Sequence, residues 1–213
     1  MDGVFLTFEG SEGCGKSTQI RRLLARFDAS GVDYLHVREP GGTLLGESVR
    51  TLLKDRPEFD GMAPEAELLL FAASRAQLVR EKLVPALRRG VHVVADRFLD
   101  STTVYQGVAR GLDARAVACI NRFAAGECLP QLTVLLDMDS GAARRRAIDR
   151  EDGQPDRMER EGGHFFEKVR RGYLDLAKAE AGRFVVLDAG KPEEEIAESI
   201  WAVLVSRFHG VFE

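Results

Sequence analysis

The sequence predicts an α/β fold, a mostly parallel sheet with helices against both faces, in one domain spanning residues 1–213. Three observations predict it. Five short apolar runs alternate with stretches of helical periodicity, the pattern that builds a parallel sheet through helical crossovers. The runs are near-continuous in apolar character, as strands covered on both sides are. No shift of composition, internal repeat or low-complexity segment divides the chain.

The elements follow in order. Gly3 to Phe8 reads as a buried strand. Lys16 to Ser30 places Ile20, Leu23, Leu24 and Phe27 at helical spacing, and Gly31 closes that helix. Asp33 to Val37 is a second strand, and "EPGGT" from Glu39 to Thr43 is a turn by composition, where Glu39-Pro40 is a candidate cis bond. Leu44 to Lys54 is helical, and Ala63 to Arg89 is a long helical region that Pro85 kinks or divides. Val91 to Ala95 is a third strand, running into Asp96-Arg97; Asp113 to Ala125 is helical and Gln131 to Met138 is a fourth strand. Ser140 to Asp149 begins an arginine-rich helix, followed by a polar stretch from Arg150 to Arg160 that reads as a mobile loop. Phe165 to Ala181 is helical, Arg183 to Ala189 is the fifth strand, and Pro192 to Arg207 is a last amphipathic helix. Ligands of such folds bind outside the carboxyl ends of the strands.

Composition narrows the function. The chain is 45% hydrophobic and 30% charged, enough to bury a substantial core. A net charge of −4 argues against a general nucleic-acid or membrane surface, so a bound anion must be held by local positive groups. Three cysteines, Cys14, Cys119 and Cys128, are odd in number and match no zinc spacing. Together with an N-terminal stretch unlike a secretory signal and no long apolar run, this gives the expectation of a cytoplasmic protein.

The stretch "FEGSEGCGKST" carries the chemistry. Gly10-Ser11-Glu12-Gly13-Cys14-Gly15-Lys16-Ser17 fits GxxxxGK[ST], between a predicted strand and a predicted helix, with Thr18 next. Glycines let successive N–H groups turn inward onto phosphate oxygens, and the helix start adds partial positive charge. Lys16 is expected to reach the β- and γ-phosphates and Ser17 to ligate Mg²⁺. That implies a nucleoside triphosphate but no particular reaction.

Three further clusters, "REPGGT" (Arg38 to Thr43), "LFAASRAQ" (Leu70 to Gln77) and "DRFLDSTTVYQG" (Asp96 to Gly107), stand with the phosphate loop and the later "DRMERE" (Asp156 to Glu161). In that combination and order the chain resembles the thymidylate kinase family, from Phe5 to about Ala197. The resemblance implies a P-loop nucleotide-kinase fold with a five-stranded parallel sheet, a lid at about residues 142–160 and a homodimer. It further implies ATP as phosphoryl donor, dTMP as acceptor, Mg²⁺, and no nucleic-acid or membrane partner.

It also implies roles for residues. Phe71 and Arg75, four apart on one helix face, are expected to stack on thymine and donate to its O4. Arg97 is expected to grip the dTMP phosphate, and Asp96, where a Walker-B carboxylate belongs, to act near Mg²⁺. Arg38 and Arg50 resemble residues around the acceptor phosphate and sugar. Thr102 and Gln106 match positions near the base, Tyr105 a tyrosine against the deoxyribose, and Glu12 an acid that accepts from the 3′-OH. The phosphate loop contains no arginine, so the resemblance assigns the catalytic cation to the lid, from Arg146, Arg150 or Arg157. Cys14 replaces the family's common alanine, read as inert packing or as a site of oxidative inhibition, and Phe98 stands where relatives carry Tyr or His. Other nucleoside-monophosphate kinases are the nearest alternative. A regulatory GTPase lacks its Asn-Lys-x-Asp signature here, and a binding-only P-loop protein would leave Arg97 without a purpose.

Overall fold

The computed structural model describes residues 3–54, 59, 61–148 and 160–212. Strands β1 (Phe5–Glu9), β2 (Tyr34–Arg38), β3 (His92–Asp96), β4 (Leu132–Asp137) and β5 (Phe184–Asp188) form one parallel sheet in the order β2-β3-β1-β4-β5. The five predicted strands are present, shifted by one or two residues. β1 is central, and all five of its residues are buried, as its unbroken apolar run requires.

Alternation along β1 serves two cores. Leu6 and Phe8 face the helices α1 (Lys16–Ser30) and α9 (Glu193–Arg207), through Ile20, Leu23, Phe27, Ile196, Ile200 and Leu204. Phe5 faces the other side and joins Val93 and Ala95 under Leu78, Val79 and Leu83. A third cluster packs Leu135 beneath Phe165, Phe166, Val169 and Tyr173 of α8 (Gly163–Ala179). Gly31 closes α1 in a left-handed conformation, donating its N–H to the Asp28 and Phe27 carbonyls.

The predicted helix from Ala63 to Arg89 is a continuous rod with a widened middle: α3 (Pro64–Leu78), a π-helical turn Val79–Leu83, and α4 (Val84–Arg88). Pro85 is the second residue of α4, and the wider π turn before it leaves room for the ring without breaking the rod. One helical segment was not assigned from sequence: α5 (Leu99–Thr102) runs into a π-helical stretch Thr103–Ala109. α2 (Leu44–Lys54), α6 (Ala114–Ala125) and α7 (Ser140–Ile148) follow the expected bounds closely, and Asp113 caps α6 by accepting from the Ala116 N–H at 2.9 Å. Among the described residues no helix is long and apolar enough to cross a membrane.

The turn after β2 contains the cis Glu39-Pro40 peptide and then packs directly on α2. A Cβ on Gly46 would stand 2.6 Å from the Gly41 carbonyl oxygen, so the turn and the helix touch backbone to backbone there. Helix propensity alone favours alanine over glycine by about 1 kcal/mol in a helix. The contact reverses that preference. Gly46→Ala is expected to lower unfolding free energy by about 1–3 kcal/mol in urea titrations, as overpacking does; a gain in stability would show that the turn yields freely.

Candidate active site

The carboxyl ends of β1, β3 and β2 lie side by side, and the segments leaving them line one pocket. From β1 comes the phosphate loop. Gly10 has φ 136°, and a Cβ there would sit 2.5 Å from the Leu136 carbonyl oxygen and 2.8 Å from Cys14 Sγ, so only glycine fits. Gly15, with φ 92°, precedes α1; no side chain caps that helix and its first turn holds no acid, which leaves its first N–H groups available to an anion. Lys16 folds back over the loop, its Nζ donating to the carbonyls of Gly10 at 3.0 Å and Ser11 at 2.8 Å. Cys14 is buried beneath it, Sγ 3.7 Å from that ammonium, and packs in the core behind the loop. Thr18 follows in the first turn of α1. Ser17 Oγ lies 3.4 Å from Asp96 Oδ2, the last residue of β3.

Arg97 follows Asp96 and is, among the described residues, the one non-glycine with positive φ, at 70°. Its side chain is heavily bonded. Nη2 donates to Glu12 Oε1 at 2.8 Å, and Nη1 to Ser101 Oγ and the Tyr173 hydroxyl, both at 3.1 Å. Tyr105 donates its hydroxyl to Glu12 Oε2 at 2.7 Å. Burial raises the Glu12 carboxyl, but Arg97, Lys16 and the Tyr105 hydroxyl outweigh it and hold the group below the usual carboxylate range.

Beneath this lies Glu9, fully buried at the end of β1. Its carboxylate accepts the N–H groups of Phe98 and Ser101 at 2.8 and 3.3 Å, the Ser101 hydroxyl at 2.6 Å and the Tyr173 hydroxyl at 2.7 Å. Burial, with Asp100 nearby, pushes its pKa up. Asp100 is held in turn by Arg183, through two bonds of 2.7 Å. Glu9, Tyr173, Asp100 and Arg183 were not singled out from sequence. Glu9 stands just before the loop glycines, and that position at a strand end was the available signal.

The far side of the pocket comes from α3 and the segment after β3. Phe71 lines it, partly exposed. Arg75 does so from a position 1% exposed, engaged in the protein's own bonds. Its Nε and Nη2 donate to Glu39 Oε2 at 2.9 and 2.7 Å, Nη1 to Asn121 at 2.8 Å, and Nη2 also to Thr102 Oγ1 at 2.9 Å. The guanidinium also faces the Phe98 ring at 5.4 Å, so Phe98 is a core residue that Arg75 rests on. Gln106 lines the same wall, its Nε2 donating to Glu67. Arg38 pairs with Glu47 at 2.7 Å and Arg50 donates to the Pro40 carbonyl at 3.0 Å; both line the pocket.

The flanks of the expected lid attach to the other half of the sheet. Arg170 of α8 grips Asp137 at the end of β4 through bonds of 2.8 and 2.9 Å. Arg146 of α7 donates to the Ala189 carbonyl beyond β5 at 3.3 Å, outside the pocket lining. Arg144 and Arg145 are exposed. Arg150, Arg157 and most of the expected lid loop lie outside the described residues.

A central β1, a glycine-rich loop opening an uncapped α1, a strand-end Asp-Arg pair and a cation-lined pocket define a P-loop nucleotide kinase of the α/β class. The family model for thymidylate kinase matches residues 8–200. Thymidylate kinases of Deinococcus radiodurans, Desulfosudis oleivorans and Geotalea daltonii are similar to the chain at 49%, 47% and 42% identity. These matches cover 97%, 94% and 98% of this chain and 98%, 96% and 99% of the relatives. The chain belongs to the thymidylate kinase family.

Glu39 gives the site a pH signature. Burial raises its carboxyl against the opposing pull of Arg75, to about 7, and its Oε1 has no hydrogen-bond partner among the described residues. The folded state therefore binds more protons than the unfolded chain between an ordinary 4.5 and about 7, and the group's stabilising contribution falls as pH rises through that window. Urea titrations of wild type and Glu39→Gln at pH 5 and 7.5 are expected to show the variant gaining on wild type at the higher pH, by at most about 3 kcal/mol. A relative loss would place the native carboxyl below its ordinary value.

Proposed function

We propose that the chain phosphorylates dTMP to dTDP with ATP as donor, a step in dTTP synthesis. One observation carries the reading: a single pocket joins Lys16 and Ser17 of the phosphate loop, the fixed cation Arg97, and a base-sized wall of Phe71, Arg75, Thr102 and Gln106. Membership of the family supports it.

The acceptor phosphate oxygen attacks the γ-phosphorus of ATP; that P–O bond forms as the bond to the β,γ-bridging oxygen breaks, and ADP leaves. The acceptor is already an anionic nucleophile, so the protein's task is alignment, charge neutralisation and exclusion of water. Backbone N–H groups of residues 10–18 hold the donor phosphates. Lys16, turning from its own loop carbonyls, takes the β- and γ-oxygens. Arg97 holds the dTMP phosphate and neutralises charge as the two phosphates meet. Ser17 and Asp96 offer neighbouring hard oxygen donors that fit Mg²⁺, which when bound supplies further charge neutralisation on the phosphates. Asp96 would act near the bound ion or its waters.

On the acceptor, Phe71 stacks on thymine and Arg75 donates toward O4 through an Nη1 hydrogen, while Thr102 and Gln106 border the base. Tyr105 lies against the deoxyribose, and Glu12, between Arg97 and Tyr105, accepts from the 3′-OH. Arg38 and Arg50 add positive charge around the acceptor phosphate. A lid arginine, Arg146, Arg150 or Arg157, supplies the last cation, a contribution of roughly 10³–10⁵ in related transfers. The protein acts in the cytoplasm as a homodimer; exposed Leu69 on α3 and Phe123 on α6, at 56% and 82%, support an interface on those helices.

Purified protein with magnesium and ATP is expected to form dTDP from dTMP, and to act far more weakly on dCMP, AMP and GMP. Preferred turnover of another monophosphate would reassign the substrate. In Arg97→Ala, kcat is expected to fall by about 10²–10³ or more while KM for ATP changes little; equal losses in both would remove Arg97 from the transfer itself.

A further inference from the structure

Gln106 carries an amide with two opposite ends, a donor and an acceptor, and the base pocket meets only one. Its Nε2 donates to Glu67 Oε1 at 2.7 Å, with Gln106 1% and Glu67 0% exposed. A carboxylate offers acceptor oxygens alone, so the amide nitrogen turns toward it. Arg110 closes the outer side of Glu67, with Nε on Oε1 and Nη2 on Oε2, each at 3.4 Å. Arg110 is itself fixed by Nη1 to Glu161 at 2.5 Å and by the Phe165 ring at 5.0 Å. No described residue donates to the other end of the amide, Gln106 Oε1, and Gln106 lines the pocket. Arg75 faces the same pocket from α3 with a guanidinium, which is donor only.

We infer that Glu67 is a specificity-determining positioning residue: by holding the Gln106 amide nitrogen it fixes a hydrogen-bond acceptor on the pocket wall, which selects a pyrimidine that carries a proton on N3. Thymine and uracil present N3–H flanked by carbonyls. Cytosine presents a bare N3 lone pair, which would face Gln106 Oε1 acceptor to acceptor. The inference rests on the dTMP reading above and adds which end of the amide reads the base, and what sets it.

Glu67→Gln tests it. An amide at position 67 can present either its oxygen or its nitrogen, so Gln106 is no longer held one way round. Steady-state kinetics with dTMP and with 5-bromo-dUMP, whose N3 proton is more acidic, are compared from pH 7 to 9. In wild type, KM for 5-bromo-dUMP is expected to climb relative to dTMP as its ring loses the N3 proton. In Glu67→Gln, KM for dTMP rises on the order of tenfold, the cost of a mispaired polar group. KM for ATP stays as it was, and the climb flattens because a turned amide can donate to the deprotonated N3. Arg110→Gln, which removes the cation on the outer side of the same carboxylate, shifts both quantities the same way and serves where Glu67→Gln fails to fold. Wild type that turns over dTMP while a folded variant keeps its KM and its climb overturns the role of Glu67. Wild type that does not turn over dTMP overturns the substrate reading as well.

Discussion

The site depends on holding a guanidinium still at the end of β3. Arg97 occupies a left-handed backbone conformation that a non-glycine residue adopts at a cost of about 1–3 kcal/mol. The protein meets that cost locally. Glu9 accepts the backbone N–H groups of Phe98 and Ser101, which fixes the chain just after the strained residue, while Glu12 and the Tyr173 hydroxyl fix its side chain. The two carboxylates around the guanidinium are balanced by Arg97 itself and by Lys16, which acts on Glu12. Glu9 is buried beneath the turn, where desolvation raises its pKa. Glu12 is the counterion that pairs with Arg97 directly, at 2.8 Å. An arginine so clamped is preorganised, and its orientation requires no further entropy loss when the phosphates arrive.

Sheet order explains why these groups meet. β2, β3 and β1 are neighbours, and adjacent strands stand about 4.8 Å apart. The turn with Glu39, the Asp96-Arg97 pair and the phosphate loop therefore emerge in a row within about 10 Å, the span of two phosphoryl groups and the ends that hold them. The β4 and β5 half anchors what flanks the expected lid: α8 on Asp137 and α7 on the Ala189 carbonyl. One side of β1 thus carries the residues proposed to hold the acceptor and the other the helices that flank the expected lid, with the phosphate loop between.

What the sequence made legible is what is local along the chain. The loop from Gly10 to Ser17 can be read because its glycines, lysine and serine act through backbone geometry within a few residues, and α1 and α2 carry their periodicity and end signals inside themselves. The segment Leu99–Ala109 could not be read that way. "LDSTTVYQGVA" is rich in β-branched and hydroxyl residues that favour other conformations in isolation. Its helical form is imposed from outside, by Glu9 on its first N–H groups, Arg183 on Asp100 and Asn121 on the Leu99 carbonyl. Those partners are distant in sequence, as Glu9 and Tyr173 are, at 164 positions apart. Arg75 shows the same limit: its helical phase with Phe71 was apparent, but its buried bonds to Glu39, Asn121 and Thr102 follow only from the packing of α3 against α6 and the turn after β2.

These buried networks share a design. Two polar groups on the wall proposed to meet the base are each held from behind by a buried carboxylate: Arg75 by Glu39, Gln106 by Glu67. A carboxylate removed from water is costly unless a cation or several donors accompany it. Arg75 itself accompanies Glu39, and Arg110 accompanies Glu67. An apolar wall would be as stable, but it could not tell one pyrimidine edge from another, since shape alone discriminates weakly between isosteres. On the proposed reading, fixing which atom of each group meets the base turns a pocket of the right size into one that counts donors and acceptors. The Glu39 oxygen that has no partner among the described residues, and the raised pKa of that carboxyl, are the cost of such a network: stability given up behind the wall proposed to read the base.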